Sequence, residues 1–201
     1  TDRLFQALFI DTIANPFSVV TRAPSWSDDR KRIDQLLEVL AETEQPVFAH
    51  VHLMGTHGPT FHPGKVEFSA GQEQTDKWLD DFYDDAMLTY DAYIGELVEA
   101  LQTTGKFDQS LIILYSDHAM RFQSKERIPL LFHFPEGQYR GSIQTNVQNL
   151  DVAPTILDYL GLPAPEWMEG EAILQFSDQV REPIDSLGIG RAAYTGTDTA
   201  M

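Results

Sequence analysis

The 201-residue chain is 42% hydrophobic, which is enough apolar material for the core of one globular α/β domain. Fourteen Lys and Arg residues against 31 Asp and Glu residues give a formal net charge of −17, which disfavours nucleic acid or an anionic membrane surface as the main partner. The absence of cysteine excludes disulfides and thiolate metal ligands and is compatible with either redox compartment. With no apolar run of membrane-spanning length and no initiator Met or signal peptide, the chain is expected to be an excised piece of a longer protein.

The first predicted elements are a helix and a strand. Ser27-Asp28-Asp29 is a capping signal, and the apolar residues that follow, up to Leu40, share one helical face. Residues 47–54 alternate in a way that predicts a strand, with His50 and His52 on one face as core or semi-buried histidines.

The second half of the chain continues the alternation of helical and extended patterns, which favours an α/β sheet. A long amphipathic helix is predicted from Thr75 or Asp76 to a C-terminal cap at Gly105. Two strands are predicted, at 111–114 and 128–134. A helix is predicted at 152–160 and an edge strand at 192–194.

Asp117 and His118 follow the apolar run 111–114 after Tyr115 and Ser116. Ligands collect beyond the carboxyl ends of strands in open α/β sheets, so these side chains are candidate metal ligands. A carboxylate with a neutral imidazole suits zinc or manganese better than calcium or magnesium, because hard cations seldom recruit imidazole. The alternative is a capping Asp beside a surface His.

The loop after the first predicted strand is built to present His57 at the strand's carboxyl edge. Gly55 and Gly58 permit tight or positive-φ backbone on either side of it, and Pro59 stiffens the exit. The alternative is an ordinary hydrogen-bonded turn histidine.

Two basic residues, Arg121 and Lys125, follow the Asp-His pair closely enough to reach an anionic ester bound at a metal there. Ordinary solvated loop charges are the equally plausible alternative for both.

Five motifs recur in a characteristic order, at 48–59, 90–95, 115–118, 127–131 and 147–157. Together they resemble the carboxyl-terminal half of the sulfatase and alkaline phosphatase superfamily, over roughly residues 30–175. The resemblance implies an α/β fold with a mixed, mainly parallel sheet flanked by helices, present here as a single partial domain spanning 1–201. It also implies an anionic sulfate or phosphate ester as substrate and a divalent metal as cofactor.

The resemblance assigns roles to particular residues. Asp117 and His118 match two metal ligands, and the Asp-His form is usual among phosphoethanolamine transferases, lipoteichoic acid synthases and related hydrolases, whereas arylsulfatases typically carry Asp-Asn. His57 matches a histidine that contacts the ester oxyanion or a second metal. Residues 151–155 match a scaffold segment to which no chemistry is assigned.

The departures from the family pattern limit what these residues can do alone. Family members attack the ester with a Thr, Ser or modified Cys on an amino-terminal segment, and nothing before Val47 resembles that segment. Ala119 replaces a glycine common after the Asp-His pair, and the loop before Pro129 is short, which leaves Arg121 and Lys125 as weaker matches. We therefore expect the isolated chain to be inactive and to need the missing amino-terminal part of its parent.

Three hypotheses follow. The first is a fragment of a metal-dependent hydrolase or transferase acting on sulfate or phosphate esters, and the second is a non-catalytic family member that binds a lipid head group or a partner protein. The third is a phosphomutase-like relative, for which the expected inserted-domain sequence is absent. The family resemblance suggests an extracytoplasmic or membrane-anchored parent, and an incomplete sheet predicts self-association through an exposed edge.

Overall fold

The computed structural model describes residues 29–122 and 127–175, together with the backbone of 186–187 and 193–194. The chain divides into two compact units, Thr1–Phe107 and Asp108–Met201. No helix in the described ranges is long and apolar enough to cross a membrane.

In the described part of the first unit, residues 29–107, the α-helices are α1 at Asp29–Glu42 and α2 at Asp80–Thr103. Both were predicted, but α2 begins later than Thr75 or Asp76. The cause is Trp78, whose backbone lies at φ 60° and whose N–H donates to the Pro59 carbonyl at 2.8 Å, so the chain is tied to a loop before the helix starts.

The helix ends follow the capping signals in the sequence. Gly105, at φ 69°, donates its N–H to the Gln102 carbonyl, while the Lys106 N–H bonds to the Leu101 carbonyl. These two bonds form the glycine-dependent Schellman cap predicted for α2. The Lys106 ammonium also donates to the Leu40 and Thr43 carbonyls at 2.6 and 2.7 Å, which satisfies acceptors at the end of α1.

The strand predicted at residues 47–54 is wrong, because no strand is assigned there. Val47 and Phe48 are 41% and 53% exposed, and His50 and His52 are also exposed, so the expected core histidines are not core residues. An alternation of apolar and polar residues indicates a tendency toward extended backbone, but a β-strand also needs a neighbouring strand to which it is hydrogen-bonded. At Met54 the backbone N–H bonds instead to the Asp29 carboxylate.

Asp85 of α2 organises the loop between residues 61 and 79. Its carboxylate is completely buried and accepts the N–H groups of Glu67, Phe68 and Ser69 at 2.8 to 3.0 Å, together with the Ser69 hydroxyl at 2.5 Å. Burial by itself raises the pKa of Asp85, but these hydrogen bonds outweigh it and lower the pKa to about 2. The carboxylate is therefore ionised at neutral pH and takes the place of a backbone partner for three successive amides.

The longer strand pair of the second unit is β1 at Ile112–Tyr115 and β2 at Leu130–His133, which overlap the predicted apolar runs 111–114 and 128–134. They pair antiparallel, with Ile112 opposite His133. A short pair, β3 at Ser186–Leu187 and β4 at Ala193–Tyr194, is also antiparallel and includes part of the predicted edge strand.

The mainly parallel arrangement that we predicted is therefore not observed in the described residues. The connection between β1 and β2 contains no α-helix in its described part. A return in the parallel direction usually needs such a helical crossover, so this short link favours the antiparallel pair. The observed class is α/β, with helices and a small antiparallel sheet.

Helix α3, at Val152–Tyr159, confirms the third predicted helix and carries the scaffold segment. Asp151 and Thr155 are fully buried, and their side-chain oxygens accept the N–H groups of Glu171 and Ile173 at 2.9 and 3.0 Å. Gly170 lies so close to the Leu150 carbonyl that a β-carbon would clash with it. Residues 151–155 thus have the structural role predicted for them.

Each unit has its own apolar core. In the second unit Phe134 is its centre, with ring contacts to Phe132, Tyr139 and Tyr159 at centroid distances of 5.7, 4.9 and 5.3 Å. The buried apolar residues of the first unit are Ile33, Leu36, Phe61, Ala86 and Leu101.

Candidate functional site

His57 lies in an exposed turn of the first unit. Its backbone N–H donates to the Met54 carbonyl at 2.9 Å, which closes the turn. Its Nδ1 is 3.0 Å from the Gly58 carbonyl, so a proton on Nδ1 is hydrogen-bonded and Nε2 then carries the ring lone pair. The loop therefore exposes the His57 side chain, but the predicted location at a strand's carboxyl edge is wrong, because no strand is assigned at residues 47–54.

The glycines of this loop allow neighbouring side chains to pack close to its backbone. Neither Gly55 nor Gly58 has a positive φ. A β-carbon on Gly58 would collide with the Trp78 ring, and one on Gly55 would stand 3.2 Å from the Tyr90 ring and 3.3 Å from the Asp29 carboxylate. Of the two predicted alternatives, tight or positive-φ backbone, the loop forms a tight turn without positive φ at these glycines, which also leave space for neighbouring side chains.

A buried carboxylate anchors the start of the same loop. Asp29, only 3% exposed, accepts the N–H of Met54 at 2.9 Å and that of Gly55 at 2.7 Å. The Tyr90 hydroxyl donates to it at 3.0 Å, and Arg32 forms an ion pair with it at 2.7 Å. Burial raises the pKa of Tyr90, and the negative charge of Asp29 raises it further, so the phenol keeps its proton and remains a donor.

Asp117 and His118 follow β1 directly in the second unit. The Asp117 side chain is 63% exposed and that of His118 is 34% exposed, with 3.7 Å between Asp117 Oδ1 and His118 Nε2. The His118 Nδ1 is 2.9 Å from the Ala119 carbonyl. With the proton on Nδ1, Nε2 has the lone pair that a metal ligand needs.

This geometry fits two ligands of one ion. Ligand atoms about 2.1 Å from a tetrahedral zinc lie about 3.4 Å from each other, so the observed 3.7 Å separation requires only a small adjustment. Across residues 29–122 and 127–175, however, no group of three or more His, Cys, Asp or Glu side chains could hold a metal. Asp117 and His118 are therefore a pair of candidate ligands, without a third His, Cys, Asp or Glu grouped with them in these ranges.

Asn149 supports the turn that carries this pair. Its side-chain NH₂ donates to the Ser116 carbonyl at 2.9 Å, and the Ser116 hydroxyl donates to the His118 carbonyl at 2.6 Å. Its Oδ1 is buried and has no hydrogen-bond partner among the residues described. Sequence reasoning did not identify Asn149, because a contact between residues 33 positions apart leaves no local signal.

The structure brings together only part of the predicted site. Asp117 and His118 are adjacent in the second unit, whereas His57 belongs to the first, so their grouping stays a prediction. Arg121 is exposed and has a left-handed backbone, with φ 59°. Lys125 lies outside the described residues.

Asp29 and Tyr90 are the contributors to the His57 loop that sequence reasoning missed. Asp29 was recognised only as part of a helix-capping signal, and Tyr90 only as an apolar position of α2 and the first residue of the motif at 90–95. A buried Asp at a helix start, followed by a Gly-containing loop, was the available signal, but it does not identify the amides it binds.

Comparison with known proteins agrees with the family resemblance of the sequence. The family model described as Sulfatase matches residues 6–162 and so covers most of the range that carried the resemblance. The chain is 29% identical over 102 residues to arylsulfatase K of Bos taurus, which covers 45% of this chain and 19% of that protein. It is 30% identical over 100 residues to N-acetylglucosamine-6-O-sulfatase of Bacteroides thetaiotaomicron, covering 43% of this chain and 18% of that protein.

A third relative is the extracellular sulfatase SULF-1 homolog of Drosophila melanogaster, 30% identical over 97 residues, covering 42% of this chain and 9% of that protein. The matches thus span about a fifth or less of the length of these curated relatives. No solved structure gives a significant match.

Proposed function

Because the chain belongs to the sulfatase family, within the sulfatase and alkaline phosphatase superfamily, we propose that it is part of a metal-dependent hydrolase or transferase of sulfate or phosphate esters. The observation that carries this proposal is the Asp117–His118 pair at the end of β1, with ligand atoms 3.7 Å apart. The names of the curated relatives favour sulfate esters, whereas the Asp-His form of the pair favours phosphate esters.

Each candidate residue has a role in this proposal. Asp117 and His118 would hold zinc or manganese, and the metal would polarise the ester and activate a nucleophile. His57 acts as the imidazolium, with Nδ1–H on the Gly58 carbonyl, and donates a hydrogen bond or a proton from Nε2 to the leaving oxygen. Arg121 and Lys125 contact the anionic oxygens of the ester.

The nucleophile comes from outside these residues in our proposal. A cysteine-derived nucleophile cannot come from this chain, since it contains no cysteine. We propose that the amino-terminal part of the parent supplies a Thr, Ser or modified Cys together with further metal ligands. The two ligands described at the end of β1 are then one part of a larger site.

A turnover assay tests the function. We expect the chain alone, with zinc or manganese, to leave 4-nitrophenyl sulfate and 4-nitrophenyl phosphate unchanged, while the complete parent turns over at least one of them. In the parent, His57→Ala should lower kcat by roughly 100-fold or more, as expected for loss of a general acid. His52→Ala is the matched control, an exposed histidine of the same unit that should leave kcat unchanged.

The same assay separates the alternatives. Turnover by the 201 residues alone would contradict the proposed origin of the nucleophile. A metal-bound parent that turns over neither ester would favour the non-catalytic alternative, a domain that binds a lipid head group or a partner protein.

The organisation and location of the parent are part of the proposal. We propose that residues 1–201 belong to a single domain, whose mixed, mainly parallel sheet includes the antiparallel β1–β2 pair as one edge. An extracytoplasmic or membrane-anchored location is supported by a relative that is named an extracellular sulfatase.

We also propose that the isolated chain self-associates through an exposed sheet edge. A two-stranded sheet is marginal on its own, and Leu131 of β2 is 56% exposed. Light scattering should therefore show a mass that rises with concentration above that of a 22.7 kDa monomer. A constant monomer mass at high concentration would contradict this prediction.

A further inference from the structure

The backbone that precedes His57 is held by side chains far away in sequence. The N–H groups of Met54 and Gly55 both point at the carboxylate of Asp29, 25 and 26 residues earlier in the chain. Tyr90, on α2, completes the arrangement by placing its hydroxyl 2.5 Å from the Gly55 nitrogen and 3.0 Å from the carboxylate. Two helices therefore meet at a single short stretch of loop.

This arrangement is built with little tolerance. Asp29 is 3% exposed, and its charge is balanced by Arg32 at 2.7 Å. A β-carbon on Gly55 would lie 3.2 Å from the Tyr90 ring and 3.3 Å from the Asp29 carboxylate, so one of these side chains would have to shift by a few tenths of an ångström. A buried carboxylate with several charge-assisted hydrogen bonds holds its donors in one geometry, because an unpaired charge there is costly.

The connection to His57 is short. The Met54 N–H is bound to the carboxylate, and the carbonyl of the same residue accepts the His57 N–H at 2.9 Å. A shift of the anchored amides would therefore move the turn on which the imidazole is mounted.

We propose that Asp29 and Tyr90 are positioning residues that orient the His57 loop toward an anionic ester. This inference rests on the proposed function for the ester, but the orienting effect is a property of the loop and can be measured without turnover. Neither residue touches the reacting atoms in this proposal, and each acts through the backbone of Met54 and Gly55.

Amide hydrogen exchange followed by NMR on the 201-residue chain tests the inference. Tyr90→Phe keeps the ring and removes only the hydroxyl, so we expect exchange of the Gly55 and His57 amides to rise by about tenfold or more and their resonances to shift. Asp29→Asn, which keeps the shape but removes the charge, should have a larger effect at the same amides.

Ser69→Ala is the matched control. It also deletes a hydroxyl that donates to a buried carboxylate of the first unit, in this case Asp85. We expect it to leave the Gly55 and His57 amides unchanged relative to the rest of the unit. Unchanged exchange at His57 in Tyr90→Phe, or an equal rise in Ser69→Ala, would overturn the inference.

Kinetics on the parent separate this inference from the proposed function. If Tyr90→Phe frees the loop but His57→Ala leaves kcat unchanged, the positioning role stands and the catalytic role of His57 fails. If His57→Ala abolishes turnover but Tyr90→Phe leaves both loop amides and kcat unchanged, the proposed function stands and the positioning role fails.

Discussion

Replacing Asp85 with Asn is expected to lower the free energy of unfolding by about 3 kcal/mol. A buried N–H group that loses its acceptor is left unpaired, and its desolvation is then no longer compensated by a hydrogen bond. The carboxylate accepts four hydrogen bonds from the segment 67–69, and it is completely buried. An amide keeps one acceptor oxygen but turns an NH₂ group toward donors on the other side. At least one backbone N–H of that segment is then left without an acceptor.

Urea denaturation followed by circular dichroism measures this loss. Asp84→Asn is the matched control, because Asp84 is the preceding residue of the same helix and is exposed. That change should alter the free energy of unfolding by less than about 0.5 kcal/mol. Equal effects of the two substitutions would show that the buried hydrogen bonds of Asp85 do not stabilise the unit.

The same carboxylate predicts a pH dependence of stability. The folded pKa of Asp85, about 2, lies below its ordinary value of 3.8. Its contribution, about 2 kcal/mol from the pKa difference, is therefore present above pH 4 or so and is lost as the pH falls toward the folded value. Asp85→Asn should flatten the decline of stability over this acidic range, whereas Asp84→Asn should not.

Replacing Asp117 with Ala is expected to weaken zinc binding to the chain by at least about 100-fold. This exceeds the loss of affinity typical when a residue that only hydrogen-bonds to a metal ligand is removed. The expectation follows from the separation of 3.7 Å between Asp117 Oδ1 and His118 Nε2, which suits two ligands of one ion. With the carboxylate removed, one imidazole remains, and a single neutral ligand binds a divalent cation weakly.

Isothermal titration calorimetry with zinc and with manganese provides the measurement. Asp108→Ala removes another exposed carboxylate of the same unit and should leave the affinity unchanged. Since Asp117 is largely exposed, its loss should not unfold the chain, and circular dichroism of the variant checks this. An affinity unaffected by Asp117→Ala would place the metal elsewhere and contradict the proposed ligands.

The helices were predictable because their signals are local. The apolar face of α1, and the glycines that end α2 and α3, act within a few residues of where they stand in the chain. Gly105 and Gly161 have φ values of 69° and 67°, as their capping positions require. The start of α2 was predicted too early because Trp78 is held by the distant Pro59 carbonyl.

The part of the candidate site that is local in sequence was also predictable. Asp117 and His118 are adjacent in sequence and follow a strand, so their proximity needed no tertiary information. The support of the His57 loop was different, because Asp29, Gly55 and Tyr90 come from three separate segments. Gly55 was predicted to serve tight or positive-φ backbone, but the space that it leaves for Tyr90 and Asp29 was not predicted, because those residues are distant in the chain.

By itself, the sequence determined the family, the class of fold, the three helices and the adjacency of the candidate metal ligands. These follow from motif order and from interactions within a few residues of one another. Only the tertiary structure decided that residues 47–54 lack a strand, that β1 and β2 run antiparallel, and that Asp29, Asp85 and Asn149 hold loops in place. Strand pairing and buried hydrogen bonds join residues that are distant in the chain, and such partners are selected by packing, which no local pattern encodes.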